Sequence, residues 1–122
     1  MIFDPLRRKN VPDTPEERVR QSVIRWLHEE HGVSMELMMS EYSFSWNGRR
    51  HRADIIVFDR ELKPVILVEC KAPDVPLSDD VWHQALRYNR ELDVKKIILC
   101  NGRQMKIWER NDSEMDRLNS KE

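Results

Sequence analysis

A chain of 122 residues, 39% hydrophobic and 35% charged with a net charge of −1, has room for one core and not for two. It is no general polycation, so affinity for nucleic acid would have to come from local positive charge. No apolar run approaches the ~20 residues that span a bilayer, the start "MIFDPLRRKN" lacks the apolar stretch of a signal peptide, and no GxxxxGK[ST] phosphate loop occurs.

Two cysteines, Cys70 and Cys100, sit in apolar strand-like runs without metal-ligand spacing. They read as reduced, buried thiols of a cytoplasmic protein with no membrane partner.

In chain order, "IFDPLRRKNV" places β-type residues around Asp4-Pro5 and a basic tip, which predicts a small hairpin arm over residues 1–12. In "DTPEERVRQSVIRWLHEEHG", Thr14 is placed as an N-cap, Pro15 at the first helical position and Glu17 three after the cap, the pattern of a capping box. Val19, Val23, Trp26 and Leu27 recur at helical spacing, and Gly32 ends the helix. "LMMSEYSFSWNGRRHRADIIVFD" predicts two strands around Asn47-Gly48, and "DRELKP" turns the chain into a third, "VILVECK". Ser78 caps a second helix through about Leu92, with Leu77 and Trp82 as a hydrophobic staple. A buried strand, "KKIILC", the turn "NGRQ" and a last strand, "MKIWER", follow. The order α-β-β-β-α-β-β predicts an α/β domain over residues 13–110, a mixed sheet flanked by helices. The polar tail 111–122 is expected to fray.

The strand "VILVECK" runs from buried positions straight into opposite charges. Side chains alternate along a strand, so Glu69 and Lys71 share a side and Cys70 faces the other. A turn centred between Glu61 and Leu62 makes cross-strand partners whose numbers sum to 123, which sets Asp54 opposite Glu69. Ile56, Phe58, Val65 and Leu67 then share their face, and Ile55, Val57, Ile66 and Val68 take the other. Two adjacent carboxylates repel each other. A hard cation such as Mg²⁺, which takes one or two protein carboxylates and keeps several waters, relieves that repulsion. Lys71 beside it can orient or deprotonate a water, or stabilise charge on a phosphate. The competing reading is a plain salt bridge at a strand end.

Gln84 and Tyr88 lie one turn apart on one face of the second helix. Tyr88 can equally pack with Val81, Ala85 and Leu92 while Gln84 is solvated. Arg49, Arg50 and Arg52 precede Asp54 on its own strand, where they can meet phosphates or protect a sheet edge from aggregation. His51 has no His or Cys companion at ligand spacing and is not a ligand. Trp26, Trp46, Trp82 and Trp108 read as core or partner surface.

"RADIIVFD…VILVECKAP" resembles the D…ExK core of the PD-(D/E)xK nucleases, with Ala53-Asp54 where the name has proline-aspartate. "HQALRYN" looks like the QxxxY motif of the subset found in type I restriction endonuclease R subunits and RecB-like nucleases. "TPEERVRQ" is similar to the N-terminal nuclease domain of those R subunits. The resemblance covers roughly residues 12–110, without the helicase-like motor of a full R subunit. It implies a restriction-endonuclease-like fold and Mg²⁺- or Mn²⁺-dependent hydrolysis of DNA. Asp54 and Glu69 would ligate the metal, the Cys70 carbonyl would be a third ligand, and Lys71 would position or activate water. Gln84 and Tyr88 would contact the DNA backbone or orient the catalytic groups. A first-helix glutamate reaches the metal in many such nucleases. Glu17 is the candidate here, with Glu16 behind it, although Glu17 also has its capping position. The partners implied are DNA and either a motor or specificity protein or a second copy of the chain. The alternative is a catalytically silent DNA-binding or assembly module of the same fold. A purely structural domain would leave Gln84 and Tyr88 unexplained.

Overall fold

The structure is a computed structural model that describes residues 1–110. The predicted tail 111–122 lies outside the described residues.

Strands β1 (Ile2–Asp4) and β2 (Lys9–Val11) pair antiparallel as a small hairpin. It is docked rather than free: Asp4 is fully buried and Leu6 packs on the core beneath helix α1 (Pro15–His31). Thr14 Oγ1 accepts the Glu17 N–H at 3.1 Å, as a helix cap should. The reciprocal half of the predicted capping box is not made, because the Glu17 carboxylate is turned to Arg7, Arg20 and Gln21. Gly32 ends α1 with φ +66°, and its N–H reaches the Leu27 carbonyl.

After a 3₁₀ turn (Met35–Leu37), strands β3 (Met38–Trp46) and β4 (Arg49–Phe58) form a hairpin across Asn47-Gly48. Both turn residues have positive φ, 54° and 73°, as a tight two-residue turn matched to strand twist requires. Strand β5 (Pro64–Cys70) pairs antiparallel with β4, and α2 (Asp79–Leu92) carries the chain over to β6 (Lys96–Cys100). Ser78 stands at the α2 N-cap, but its side chain makes no capping bond. Strand β7 (Met105–Glu109) closes the order β3-β4-β5-β6-β7, in which only β5 and β6 are parallel. The predicted mixed sheet and element order are both present.

Both faces of the sheet are covered. On one, Val23, Ile24 and Leu27 of α1 pack against Ile55, Val57, Val68 and Ile98. On the other, Ala85, Tyr88 and Leu92 of α2 pack against Ile56, Leu67, Ile97 and Leu99. Trp26 joins the first face, and Trp46, Trp82 and Trp108 join the second. Parallel β5 and β6 end side by side at Cys70 and Cys100, and the Lys71 N–H extends the ladder to the Cys100 carbonyl at 2.9 Å. Such carboxyl ends of parallel strands are where open α/β sheets place their sites.

Candidate active site

The β4–β5 register pairs Ile55 with Val68, Ile56 with Leu67 and Val57 with Ile66, each summing to 123 as expected, but nearer the turn Phe58 pairs with Pro64 across a bulge, and Val65 packs on the α1-side core instead of sharing the face of Leu67. One step further along this register stand Asp54 and Glu69. The simple alternation of faces, however, does not extend to Asp54. Ala53 and Ile56 both lie in the α2-side core, although strict alternation puts residues three apart on opposite faces. The β3–β4 ladder skips Glu41 and Asp54, and Glu41 holds a left-handed φ of 54°. The Asp54 carboxylate is accordingly engaged from the α1 side: Arg20 Nη2 donates to its Oδ1 at 2.7 Å. The Cys70 N–H donates to its Oδ2, also at 2.7 Å.

Glu69 is treated in the opposite way. Its Oε1 is buried and has no hydrogen-bond partner among the described residues. Burial first, and then the charge of Asp54, push the Glu69 carboxyl well above the usual carboxylate range; Lys71 opposes that rise and Glu16 adds to it. Lys71 and Glu16 therefore lie within electrostatic reach of Glu69. The Cys70 side chain faces the α1-side core, and burial, followed by the nearby Asp54 charge, raises its thiol well above the usual range. That thiol is a packing group, and the contribution of Cys70 to the site comes from its backbone.

Glu17 accepts from Arg7 at 2.6 Å, Arg20 at 2.8 Å and Gln21 at 3.1 Å. It supports Asp54 through Arg20 and makes no bond to Asp54 or Glu69. Gln84 and Tyr88 form a separate pair, with Gln84 Nε2 donating to Tyr88 Oη at 2.5 Å. The Tyr88 ring lies buried among Phe44 (5.1 Å between centroids), His51 (5.0 Å) and Trp46 (6.3 Å), while Gln84 is exposed. Neither bonds to Asp54, Glu69 or Lys71 among the described residues. Arg49, Arg50 and Arg52 are exposed on the first half of β4, and Arg52 comes within 3.8 Å of Glu41.

Sequence reasoning missed Arg20 and Arg7. Arg7 bonds both Asp4 and Glu17, so a chain of alternating charge, Asp4–Arg7–Glu17–Arg20–Asp54, runs from the hairpin to the site. Burial alone would raise the Asp4 carboxyl, but hydrogen bonds from Arg7 and the Leu6 N–H outweigh it and hold it below the usual range. The available signal is positional. Arg20 stands four residues before Ile24 and seven before Leu27, inside the buried stripe of α1. A cleft of about 370 Å³ lined by Arg7, Thr14, Glu16, Glu17, Arg20 and Glu41 opens beside this chain of charges. A second cavity, of about 450 Å³, sits near Asp59, Val65 and Lys95 and contains no predicted site residue.

The family described as the type I restriction enzyme R protein N terminus (HSDR_N) matches residues 15–120. The chain belongs to this family. HSDR_N membership and the observed architecture agree on a nuclease-like fold. No curated protein matches the sequence. Among solved structures, a protein from Anabaena variabilis ATCC 29413, provisionally described as a DUF820 nuclease, is 13% identical with a TM-score of 0.45. The alignment covers 86% of this chain and 73% of that one. SSO0001 is 16% identical with a TM-score of 0.35, over 83% of this chain and 54% of that one. No helix among the described residues is long and apolar enough to cross a membrane.

Proposed function

We propose that this HSDR_N domain is a metal-dependent DNA endonuclease whose reacting groups are Asp54, Glu69 and Lys71. The observation that carries the reading is the buried, unpartnered Oε1 of Glu69 beside a second carboxylate. Burial and the neighbouring carboxylate favour the protonated form of Glu69, and a hard cation is the partner that would let two adjacent carboxylates ionise together.

Among the described residues no cluster of three or more His, Cys, Asp or Glu side chains is arranged around one point. Two carboxylates, a backbone carbonyl from Cys70 and water make up the donor set, which fits Mg²⁺ or Mn²⁺. The cation would neutralise both carboxylates and act as a Lewis acid toward a phosphoryl oxygen. The protein's own groups do the rest. Asp54, fixed by the Cys70 N–H and Arg20, and Glu69 define where the scissile phosphate is held. Lys71 extends from the end of β5, orients the attacking water by hydrogen bonding and stabilises negative charge as it develops on phosphate oxygens. Exposed Arg49 and Arg50 would neutralise neighbouring phosphates, and the Gln84–Tyr88 pair would orient the strand.

A second reading, DNA binding or assembly without turnover, draws on the Arg20–Asp54 ion pair, which supplies Asp54 with a partner and no metal. Single-turnover cleavage of duplex DNA in Mg²⁺ and in Mn²⁺ separates the two. Lys71→Ala should retain metal-dependent DNA binding and lose about 10²–10³ in rate, the usual cost of removing a preorganised donor. Equal background cleavage by wild type and Lys71→Ala would make the chain a binding module.

A further inference from the structure

Arg20 places a guanidinium where the buried stripe of α1 calls for an apolar side chain. The residue is only 7% exposed. Nη1 donates to Glu17 Oε1 at 2.8 Å, Nη2 donates to Asp54 Oδ1 at 2.7 Å, and Nε is buried without an acceptor. A stability role alone accounts poorly for this arrangement, because apolar residues of similar volume often replace buried ion pairs with no loss. The unpaired Nε makes it costlier still. What distinguishes Arg20 is its target, a carboxylate that stands across the β4–β5 pair from Glu69. Its guanidinium is bonded directly to one of the two site carboxylates, while Lys71 acts on the other. Arg20 itself lines the cleft bounded by Arg7, Thr14, Glu16, Glu17 and Glu41.

We propose that Arg20 is a positioning residue that serves as the resident counter-charge of the site. It holds Asp54 against the Cys70 N–H, keeps the cation-free protein folded, and weakens the affinity for a divalent cation so that the ion exchanges readily. The proposal rests on the reading that Asp54 and Glu69 hold the cation. Its physical basis is reciprocity: a guanidinium that stabilises ionised Asp54 must oppose a second cation at that carboxylate.

The test measures Mg²⁺ binding by calorimetry and thermal unfolding in EDTA and in Mg²⁺, on the full chain. The variants are Arg20→Met, Arg20→Gln and Arg20→Lys. Met keeps volume without charge, Gln keeps a donor for Asp54 without charge, and Lys keeps the charge. Arg20→Met and Arg20→Gln should melt lower than wild type in EDTA and bind Mg²⁺ about tenfold more tightly, the scale on which a charge within about 4–6 Å acts on an ionisable group. Added Mg²⁺ should therefore raise their melting temperatures by more than it raises that of wild type. Arg20→Lys should bind Mg²⁺ as wild type does. If Arg20→Met does not fold in EDTA, the affinity of Arg20→Gln decides. Unchanged or weaker Mg²⁺ binding in the neutral variants, with wild-type binding abolished by Asp54→Asn plus Glu69→Gln, overturns the role of Arg20 alone. No Mg²⁺ binding in wild type, or binding that survives that double substitution, overturns the site and the Arg20 role together.

Discussion

The two faces of the sheet are both closed over by a helix, yet they solve burial differently. The α1 face buries charge: Asp4, Glu17 and Arg20 are all more than nine-tenths inaccessible and are bonded into one chain with Arg7 and Asp54. The α2 face buries rings and aliphatic chains, and the Tyr88 hydroxyl on that face bonds to an exposed Gln84. Charge that has been taken out of water is held in place by mutual pairing, and losing one member leaves the next uncompensated. Packed rings tolerate loss of a polar tip, because shape carries most of their energy. The site stands where the alternation of β4 breaks and Asp54 turns toward the charged face. Each face thus has its own part: the α1 side fixes the carboxylate, and the α2 side fixes the sheet beneath it.

The largest effect should follow from cutting the charged chain at its far end. Asp4→Ala removes a fully buried carboxylate from Arg7 and is expected to cost about 3–5 kcal/mol in chemical denaturation. The loss should exceed that of any single change to a surface pair such as Arg18–Asp13, which solvent and salt screen. A cost below about 1 kcal/mol for Asp4→Ala would show that the α1 face does not depend on its ion chain.

How much of this is legible in the sequence depends on the range of the interaction. The β4–β5 register is only partly legible: the turn, with Leu62 at φ +64°, sets Phe58 opposite Pro64, and a bulge between Val57 and Phe58 that the sequence does not announce brings the strands into the register that holds further along. The helices are legible from Thr14, Gly32 and their apolar spacing. The tilt of Asp54 is not, because the positive φ at Glu41 falls on a residue type that does not announce it. Glu17 has a capping pattern that is half true: its N–H is capped, while its carboxylate is drawn away by arginines distant in sequence or one turn along the helix. Arg20 lies in a readable stripe, but helical periodicity cannot say that Asp54 waits across the core. Gln84 and Tyr88 are adjacent by helical spacing alone, so that pairing needs no tertiary knowledge.

A pH profile sharpens the contrast between the two site carboxylates. Burial, and then Asp54, raise the Glu69 carboxyl, so the native state keeps a proton that the unfolded chain has released. In EDTA this contribution to stability is full below the ordinary carboxylate pKa and is lost as pH rises through that value toward the raised one, with a slope of at most about 1.4 kcal/mol per pH unit. Asp4, lowered by its bonds, acts with the opposite sign and loses its contribution as pH falls. Asp54, Lys71 and Glu16 face Glu69 as well, so the informative quantity is the difference between wild type and Glu69→Gln. The variant should lack the falling limb. Parallel profiles for the two proteins would mean that Glu69 is not the desolvated group.

On the exposed part of β4, Arg49→Ala with Arg50→Ala should leave folding unchanged and flatten the log–log salt dependence of DNA binding by about 2 units, one for each lost phosphate contact. A wild-type slope in that variant would move the binding face away from the β3–β4 hairpin.

The smallest effect should come from Tyr88→Phe on the α2 face. The change deletes the hydroxyl that accepts from Gln84 and leaves the ring against Phe44, His51 and Trp46. A single hydrogen bond is worth about 0.5–1.5 kcal/mol net, and because Gln84 can turn to water the cost should fall below about 1 kcal/mol. Denaturation curves of Tyr88→Phe and Gln84→Ala should therefore nearly overlay wild type. Cleavage then becomes the discriminating measurement. If the pair orients the DNA strand, both variants should lose single-turnover rate out of proportion to their small change in stability, since misplacing a reacting group by ~1 Å can cost about 10²-fold. Unchanged rates would leave Tyr88 as a core ring with a solvated tip. A stability loss as large as that of Asp4→Ala would erase the difference between the two faces, because the α2 side would then also depend on a buried polar bond.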